Sequence, residues 1–291
     1  MQNIGLMMTY NEEDIIEETM ESHKKYFDKI LVLDGSTDKT PEILQSYNNV
    51  VYYLRDEQIF PKRKVTDGSR QFLLEEAQKR YGYDGWFSLL HGDEIFVDNP
   101  NEITVKAEKQ GADIVNWHML NFFLHTSQKE NYDDFAPLNE RLKYFNPGGL
   151  EIRQFKNKKG IFFKLDQIAR VLPYGLKNKP LWDYPIIRHY PERSIRQKLN
   201  RPTNGFKSDN PNIFEKKDIE KIKDTLFKDT LDPKNLQTRI YNGSFHEFEP
   251  GKRPSFIKQW LDWRHYKEVD WGVAGLLIPS KHMEYRKRIF R

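Results

Sequence analysis

The run NIGLMMT (3–9) is short and continuously apolar, as in a strand buried on both faces, and EEDIIEETMESHKKYF (12–27) follows with Ile15, Ile16, Met20 and Tyr26 at helical spacing. KILVL (29–33) predicts a second strand, and DGSTDKTPEILQSY (34–47) a turn and a short helix with Thr40 as N-cap and Pro41 at its first position. VVYYL (50–54) is a third strand, RQFLLEEAQKRYG (70–82) a helix stopped by Gly82, and WFSLL (86–90) a fourth strand. NEITVKAEKQG (101–111) reads as a helix and ADIVNW (112–117) as a fifth strand. Such alternation predicts an α/β fold with a mainly parallel sheet between helices, whose ligands bind beyond the carboxyl ends of the strands. The loops there carry TYNEED (9–14), DGSTD (34–38) and HGDE (91–94), so the polar motifs converge on the expected edge.

Past residue 120 the pattern loosens into segments punctuated by Pro and Gly: NPGG (146–149), RVLPYGLKNKPLWDYP (170–185) and RPTNGFKSDNPN (201–212). Two helix-like stretches follow, IFEKKDIEKIKDTLFKD (213–229) and PSFIKQWLDWRHYKEV (254–269). The second half is expected to pack on the sheet as an elaboration, with no internal repeat or low-complexity tract.

Length and composition narrow the function classes. A chain of 291 residues can bury one large core, and 14% aromatic residues mark a folded, ring-rich protein. A net charge of +4 suits anionic small molecules or a lipid surface and is too small for a nucleic-acid footprint. With Cys 0, a metal must be held by oxygen or imidazole, and a reducing compartment fits. No apolar stretch reaches the roughly 18 residues a bilayer span needs, and MQNIGLMMTYNEED lacks a basic segment followed by a long apolar run. The expectation is a cytoplasmic protein, soluble or peripheral at the inner face of the membrane. The Trp-, Tyr- and Arg-bearing stretches KQWLDWRHYKEVDWG (258–272) and KHMEYRKRIFR (281–291) would make the peripheral contact.

Four pieces in order, TYNEED (9–14), ILVLDGSTDKT (30–40), GSRQ (68–71) and GWFSLLHGDEIF (85–96), resemble the family 2 glycosyltransferases of the GT-A fold. NERLKYF (139–145), EIRQFKN (151–157) and IRHYPERSIRQKLNR (187–201) resemble a bacterial subgroup that builds polysaccharide and lipopolysaccharide. The resemblance implies a Rossmann-like GT-A sheet with a C-terminal helical elaboration. Residues 1–120 would be the nucleotide-sugar-binding half, 121–200 the acceptor-side half and 201–291 the elaboration.

It also implies an inverting transfer of a sugar from a nucleotide-diphosphate donor to a hydroxyl of a glycan or lipid-linked acceptor. Negative charge on the departing phosphates then calls for a hard cation or fixed positive donors. Asp93 is the candidate carboxylate ligand. His91 stands where the family has its first aspartate; its imidazole suits Mn²⁺ better than Mg²⁺, and His189 is a candidate third ligand. Asp34 would accept from the base, with Thr9, Tyr10, Asn11, Glu12, Gly35, Ser36 and Gly92 lining the donor pocket. Arg70 would pair with the diphosphate, as would Arg193 and Lys198, while Lys62 and Arg63 read as a solvated loop. Glu140 is the first candidate for the catalytic base and Asp134 the second, with Asp133 and Asp166 also available. Two other readings share these residues: a sugar-nucleotide-binding or scaffold protein without catalysis, which His91 in place of aspartate favours, and a sugar nucleotidyltransferase. The latter calls for a Gly-rich basic loop after the first strand, where TYNEED is acidic.

Overall fold

The computed structural model describes residues 1–55, 68–163, 173–177, 179–200, 226–228 and 239–240. Lys62, Arg63, Asp166 and the two aromatic, basic C-terminal stretches lie outside the described residues. So does all of the expected C-terminal helical elaboration except 226–228 and 239–240.

The first half follows the apolar runs. Strands β1 (Asn3–Thr9), β2 (Ile30–Asp34), β3 (Val50–Arg55) and β4 (Trp86–His91) are parallel, with β1 between β2 and β4. Helices α1 (Ile16–His23), α2 (Thr40–Gln45), α3 (Ser69–Tyr81) and α4 (Pro100–Lys109) join them, and β5 (Glu94–Phe96) follows the β4 turn. Leu73, Leu74 and Ala77 of α3 pack with Leu6, Leu33 and Leu89 on one side of the sheet. Ile16 and Met20 of α1 pack with Met7, Val32 and Leu90 on the other. This is the two-sided burial that makes β1 and β2 apolar without alternation.

Two helix starts differ from expectation. The first helix begins at Ile16 instead of Glu12, because Asn11 sits at φ 54 and the backbone N–H of Glu12 donates to Thr40 Oγ1 at 2.9 Å. Thr40 therefore does not cap its own helix; Asp38 Oδ1 accepts from the Thr40 N–H at 2.9 Å instead. The same bonds draw the two loops together at the carboxyl edge.

The second half is more regular than its Pro and Gly content predicts. Strand β6 (Ile114–His125) runs through the expected boundary at residue 120, and NPGG lies inside β7 (Tyr144–Lys156). β7 is antiparallel to both neighbours, β4 and β6, and the β6–β7 register shifts near His118 and Leu120, which accommodates Pro147 and Gly148 in the ladder. Beyond β6 come β8 (Pro180–Leu181) and β9 (Ile186–Glu192), both parallel to it, and β5 pairs antiparallel to β9. Short helices α5 (Leu138–Arg141) and α6 (Ile195–Asn200) flank this part. The two-residue strands β10 (Phe227–Lys228) and β11 (Arg239–Ile240) pair with β6 and β7. At 227–228 the chain is thus a strand where a helix was expected, its backbone captured by the exposed end of β6.

The main sheet order is β3-β2-β1-β4-β7-β6-β9-β5. It is the mixed, mostly parallel sheet flanked by helices of a GT-A fold. β9 and β5 bring residues near 190 beside the tip of β4.

Candidate active site

Register places the tips side by side: Thr9 pairs with Asp34, and Met8 with His91. Asp34 is fully buried. Its Oδ1 accepts from Thr9 Oγ1 at 2.9 Å and from the Ser36 N–H at 3.0 Å, while Oδ2 accepts from the Tyr53 hydroxyl at 2.6 Å. The left-handed turn at Asn11 is reinforced from the β2 loop: the Asn11 N–H donates to Ser36 Oγ at 2.8 Å and Asn11 Oδ1 accepts from the Thr37 N–H at 2.8 Å. The Gly35 N–H donates to Thr9 O at 3.1 Å, so the two loops form one rigid unit around the carboxylate. Arg55 closes it by donating to Ser36 O at 3.0 Å.

At the β4 tip, His91, Asp93 and Glu94 offer ligand atoms that all lie within 4.8 Å of one another. Glu94, however, is buried and held by Arg153, whose Nε donates to Glu94 Oε2 at 2.6 Å while Nη2 meets Oε1. Burial alone would raise the Glu94 carboxyl, but Arg153 and His91 outweigh it and hold Glu94 well below the usual carboxylate range. His91 Nδ1 lies 3.3 Å from Glu94 Oε1; an ionised carboxylate only accepts, so Nδ1 is the donor of this contact.

His189 is brought to the same turn by the β5–β9 pairing, opposite Glu94. Its Nδ1 lies 2.8 Å from Asn121 Oδ1, and its Nε2 lies 3.8 Å from Asp93 Oδ2. That separation is too long for a hydrogen bond and suits two ligands of one cation. Gly92 is required by close approach: a Cβ there would lie 2.7 Å from Glu12 Cγ. Thr19 of α1 fixes the turn from below by donating to Gly92 O at 2.8 Å.

Arg70, at the start of α3, and His91 line one small pocket with Leu6, Met8, Leu73, Leu89 and Leu90. Burial, then the nearby Arg153, pushes the Arg70 guanidinium down to about 10, so it is still a cation at neutral pH. Arg70 and His91 thus share one recess between the tips of β1 and β4 and the head of α3, while Asp34 and His189 are not among the residues that line it.

The model of glycosyl transferase family 2 matches residues 6–168. The chain belongs to this family. No curated protein matches the chain. Among solved structures, the chain is similar to S. aureus TarS 1-349 in complex with UDP-GlcNAc, at 20% identity over 42% of this chain and 35% of that one, with a TM-score of 0.35. A putative glucose-1-phosphate thymidylyltransferase from Bacillus anthracis in complex with a sucrose aligns at 12% identity over 41% of this chain and 55% of that one, with a TM-score of 0.28. The chain therefore spans about a third of the TarS chain it matches.

The remaining candidate residues fall into two groups. Arg193, expected beside phosphate, is 0% exposed, and its guanidinium faces carboxylates of its own chain: Nε donates to Asp14 Oδ2 at 3.0 Å, and Nη2 to Asp14 Oδ1 at 2.6 Å and to Glu12. A guanidinium in that position must be paired to be tolerated, and Glu12 and Asp14 do so. Lys198 forms a half-exposed pair with Glu192 at 2.6 Å. Asp134 receives the Ile195 and Arg196 N–H groups at 2.9 and 2.8 Å and the Tyr132 hydroxyl, so it caps α6. Glu140 is exposed on α5.

Sequence reading missed Tyr53, Asp14, Asn121 and Arg153. Tyr53 carried no motif; Asn121 and Arg153 act from strands hidden in the looser half. Asp14 was legible inside TYNEED but not its partner, 179 positions away.

Proposed function

We propose that this glycosyltransferase transfers a sugar, with inversion, from a nucleotide-diphosphate donor to a hydroxyl of a glycan or lipid-linked acceptor, assisted by Mn²⁺. The observation that carries the reading is the facing pair of Asp93 Oδ2 and His189 Nε2, 3.8 Å apart, with the imidazole turned by Asn121. His91 adds a second imidazole nitrogen, and this mixed nitrogen and oxygen set favours Mn²⁺ over Mg²⁺. Glu94 is outside the set because Arg153 holds both its oxygens.

Bound there, the ion would neutralise charge developing on the leaving diphosphate. Asp34, held still by Thr9, Ser36 and Tyr53, accepts from a ring N–H of the base, and Arg70 binds the diphosphate as a cation that cannot lose its proton at working pH. The acceptor oxygen attacks the anomeric carbon as the bond from that carbon to the phosphate oxygen breaks; the bonding pair leaves with the diphosphate and the hydroxyl proton passes to a carboxylate. Glu140 is the better base, because Asp134 is engaged by two backbone N–H groups and a phenol. Peripheral contact with an anionic membrane would bring the enzyme to lipid-linked acceptors.

The test is a panel of nucleotide sugars with and without Mn²⁺, followed by melting temperature and by release of free nucleotide diphosphate, in the wild type and Asp93→Ala. A donor-specific, Mn²⁺-dependent rise in melting temperature with turnover lost in Asp93→Ala is expected. Unchanged turnover in a folded Asp93→Ala protein overturns the assignment, and binding without turnover of any donor would support the non-catalytic reading instead.

A further inference from the structure

Arg193 sits where three segments meet, and we infer that it is a positioning residue that sets His189 against Asp93, joining the nucleotide loop to the cation centre. The inference rests on the Mn²⁺ reading above.

The first segment is the loop after β1. Asp14 takes two bonds from the guanidinium, Glu12 takes one, and Ser194 Oγ adds a bond to Asp14 Oδ2 at 2.7 Å. Burial would raise the Asp14 carboxyl, but Arg193, Ser194 and Arg141 outweigh it and keep it below its ordinary value. The second is the β4–β5 turn, where Glu12 packs on Gly92 and Arg193 Nη1 stands 3.9 Å from Asp93 Oδ2. The third is β9 itself: Arg193 Nη1 donates to Tyr190 O at 3.2 Å, and the Tyr190 N–H donates to Asp93 O at 2.9 Å. His189 immediately precedes the residue that makes both bonds.

Arg141 seals the junction from α5, donating to Asp14 O at 2.9 Å and to Arg193 O at 3.2 Å. Among the described residues, the two guanidiniums of this junction face three carboxylates, Glu12, Asp14 and Asp93. Arg193 bonds the first two directly and reaches Asp93 only from 3.9 Å, beyond hydrogen-bond range. The arrangement sets a guanidinium 3.9 Å from Asp93 Oδ2, the same oxygen that faces His189 at 3.8 Å, without a hydrogen bond to it. It also makes the position of His189 depend on a loop whose other side, at Thr9 and Asn11, holds Asp34 and Ser36.

A lysine at 193 would keep the charge but lose the planar fork that serves two carboxylates at once. Mn²⁺ alone, titrated against the apoprotein and followed by the electron paramagnetic resonance of the free ion, reads the effect without catalysis. Arg193→Lys should fold and bind Mn²⁺ about tenfold or more weakly, the usual range for a residue that orients a ligand. Glu12→Gln and Ser194→Ala, milder changes to the same junction, should each weaken it about two- to fivefold, and they carry the test if Arg193→Lys does not fold. Wild-type affinity in the folded variants overturns the positioning role and leaves the cation centre standing. Failure of the wild type itself to bind Mn²⁺ removes both.

Discussion

Arg153 holds Glu94 through a two-pronged contact inside the protein, its Nε 2.6 Å from Glu94 Oε2, although the two residues lie 59 positions apart. The pair takes one acid of the HGDE turn out of the ligand set and anchors the turn to β7. Arg153 also meets Glu151, and these partners outweigh burial to raise its guanidinium above the ordinary value.

Removing one partner of that pair should be severe. Arg153→Met leaves Glu94 buried without its guanidinium partner and is expected to cost about 3–5 kcal/mol in urea unfolding, while Arg153→Met with Glu94→Leu should recover much of the loss. The lowered Glu94 value also fixes a sign. Its stabilisation is complete above the unfolded value, about pH 4.3, and is lost as pH falls through the lower folded value, so the wild type should have a steeper acid limb than the double variant.

Asp134 and Glu140 should separate cleanly. Asp134→Asn removes charge from the cap of α6 and should lower stability by about 1 kcal/mol with turnover nearly intact. Glu140→Gln should leave the melting temperature unchanged and lower kcat about 10²- to 10⁴-fold, with KM for the donor little altered. The opposite pattern would exchange the roles.

His23 of α1 is fully buried against Phe27 and Phe96, with the backbone of His91 and the carboxylate of Glu94 as its polar neighbours. Burial, opposed in part by Glu94, pushes its imidazole down to about 4. Between pH 6.5 and about 4 the unfolded chain takes up a proton that the folded one refuses, so stability falls as pH falls, by about 3 kcal/mol across the window. His23→Leu should abolish this component and be neutral or stabilising at pH 7, as read from unfolding curves at a series of pH values.

Tyr53 donates to Asp34 at 2.6 Å, and burial together with that carboxylate raises its phenol above the ordinary value. Tyr53→Phe should loosen Asp34 and raise KM for the nucleotide sugar about three- to tenfold with kcat within about twofold, as measured by initial rates. An unchanged KM would remove Tyr53 from the donor pocket.

Much of the first half was legible because its signals are local. An unbroken apolar run such as NIGLMMT can only be a strand covered on both sides, and a polar loop after it must lie at the carboxyl edge. The second half was not legible in the same way: NPGG reads as a break, yet it is carried inside β7 because β6 supplies a ladder that tolerates a register shift. The early start expected for α1 failed because the backbone N–H of Glu12 found the side-chain hydroxyl of Thr40, 28 residues on.

From its sequence alone, this protein had the order of elements in its first half, its family motifs and the carboxyl edge to which the loops of Asp34, His91 and Asp93 belong. The periodicity of apolar residues carries that information over a few positions at a time. Only the tertiary structure decided which charge answers which: Arg193 to Glu12 and Asp14, Arg153 to Glu94, Asn121 to His189. A buried charge must find its partner wherever folding brings one within reach, and no local pattern records a neighbour that arrives from another strand.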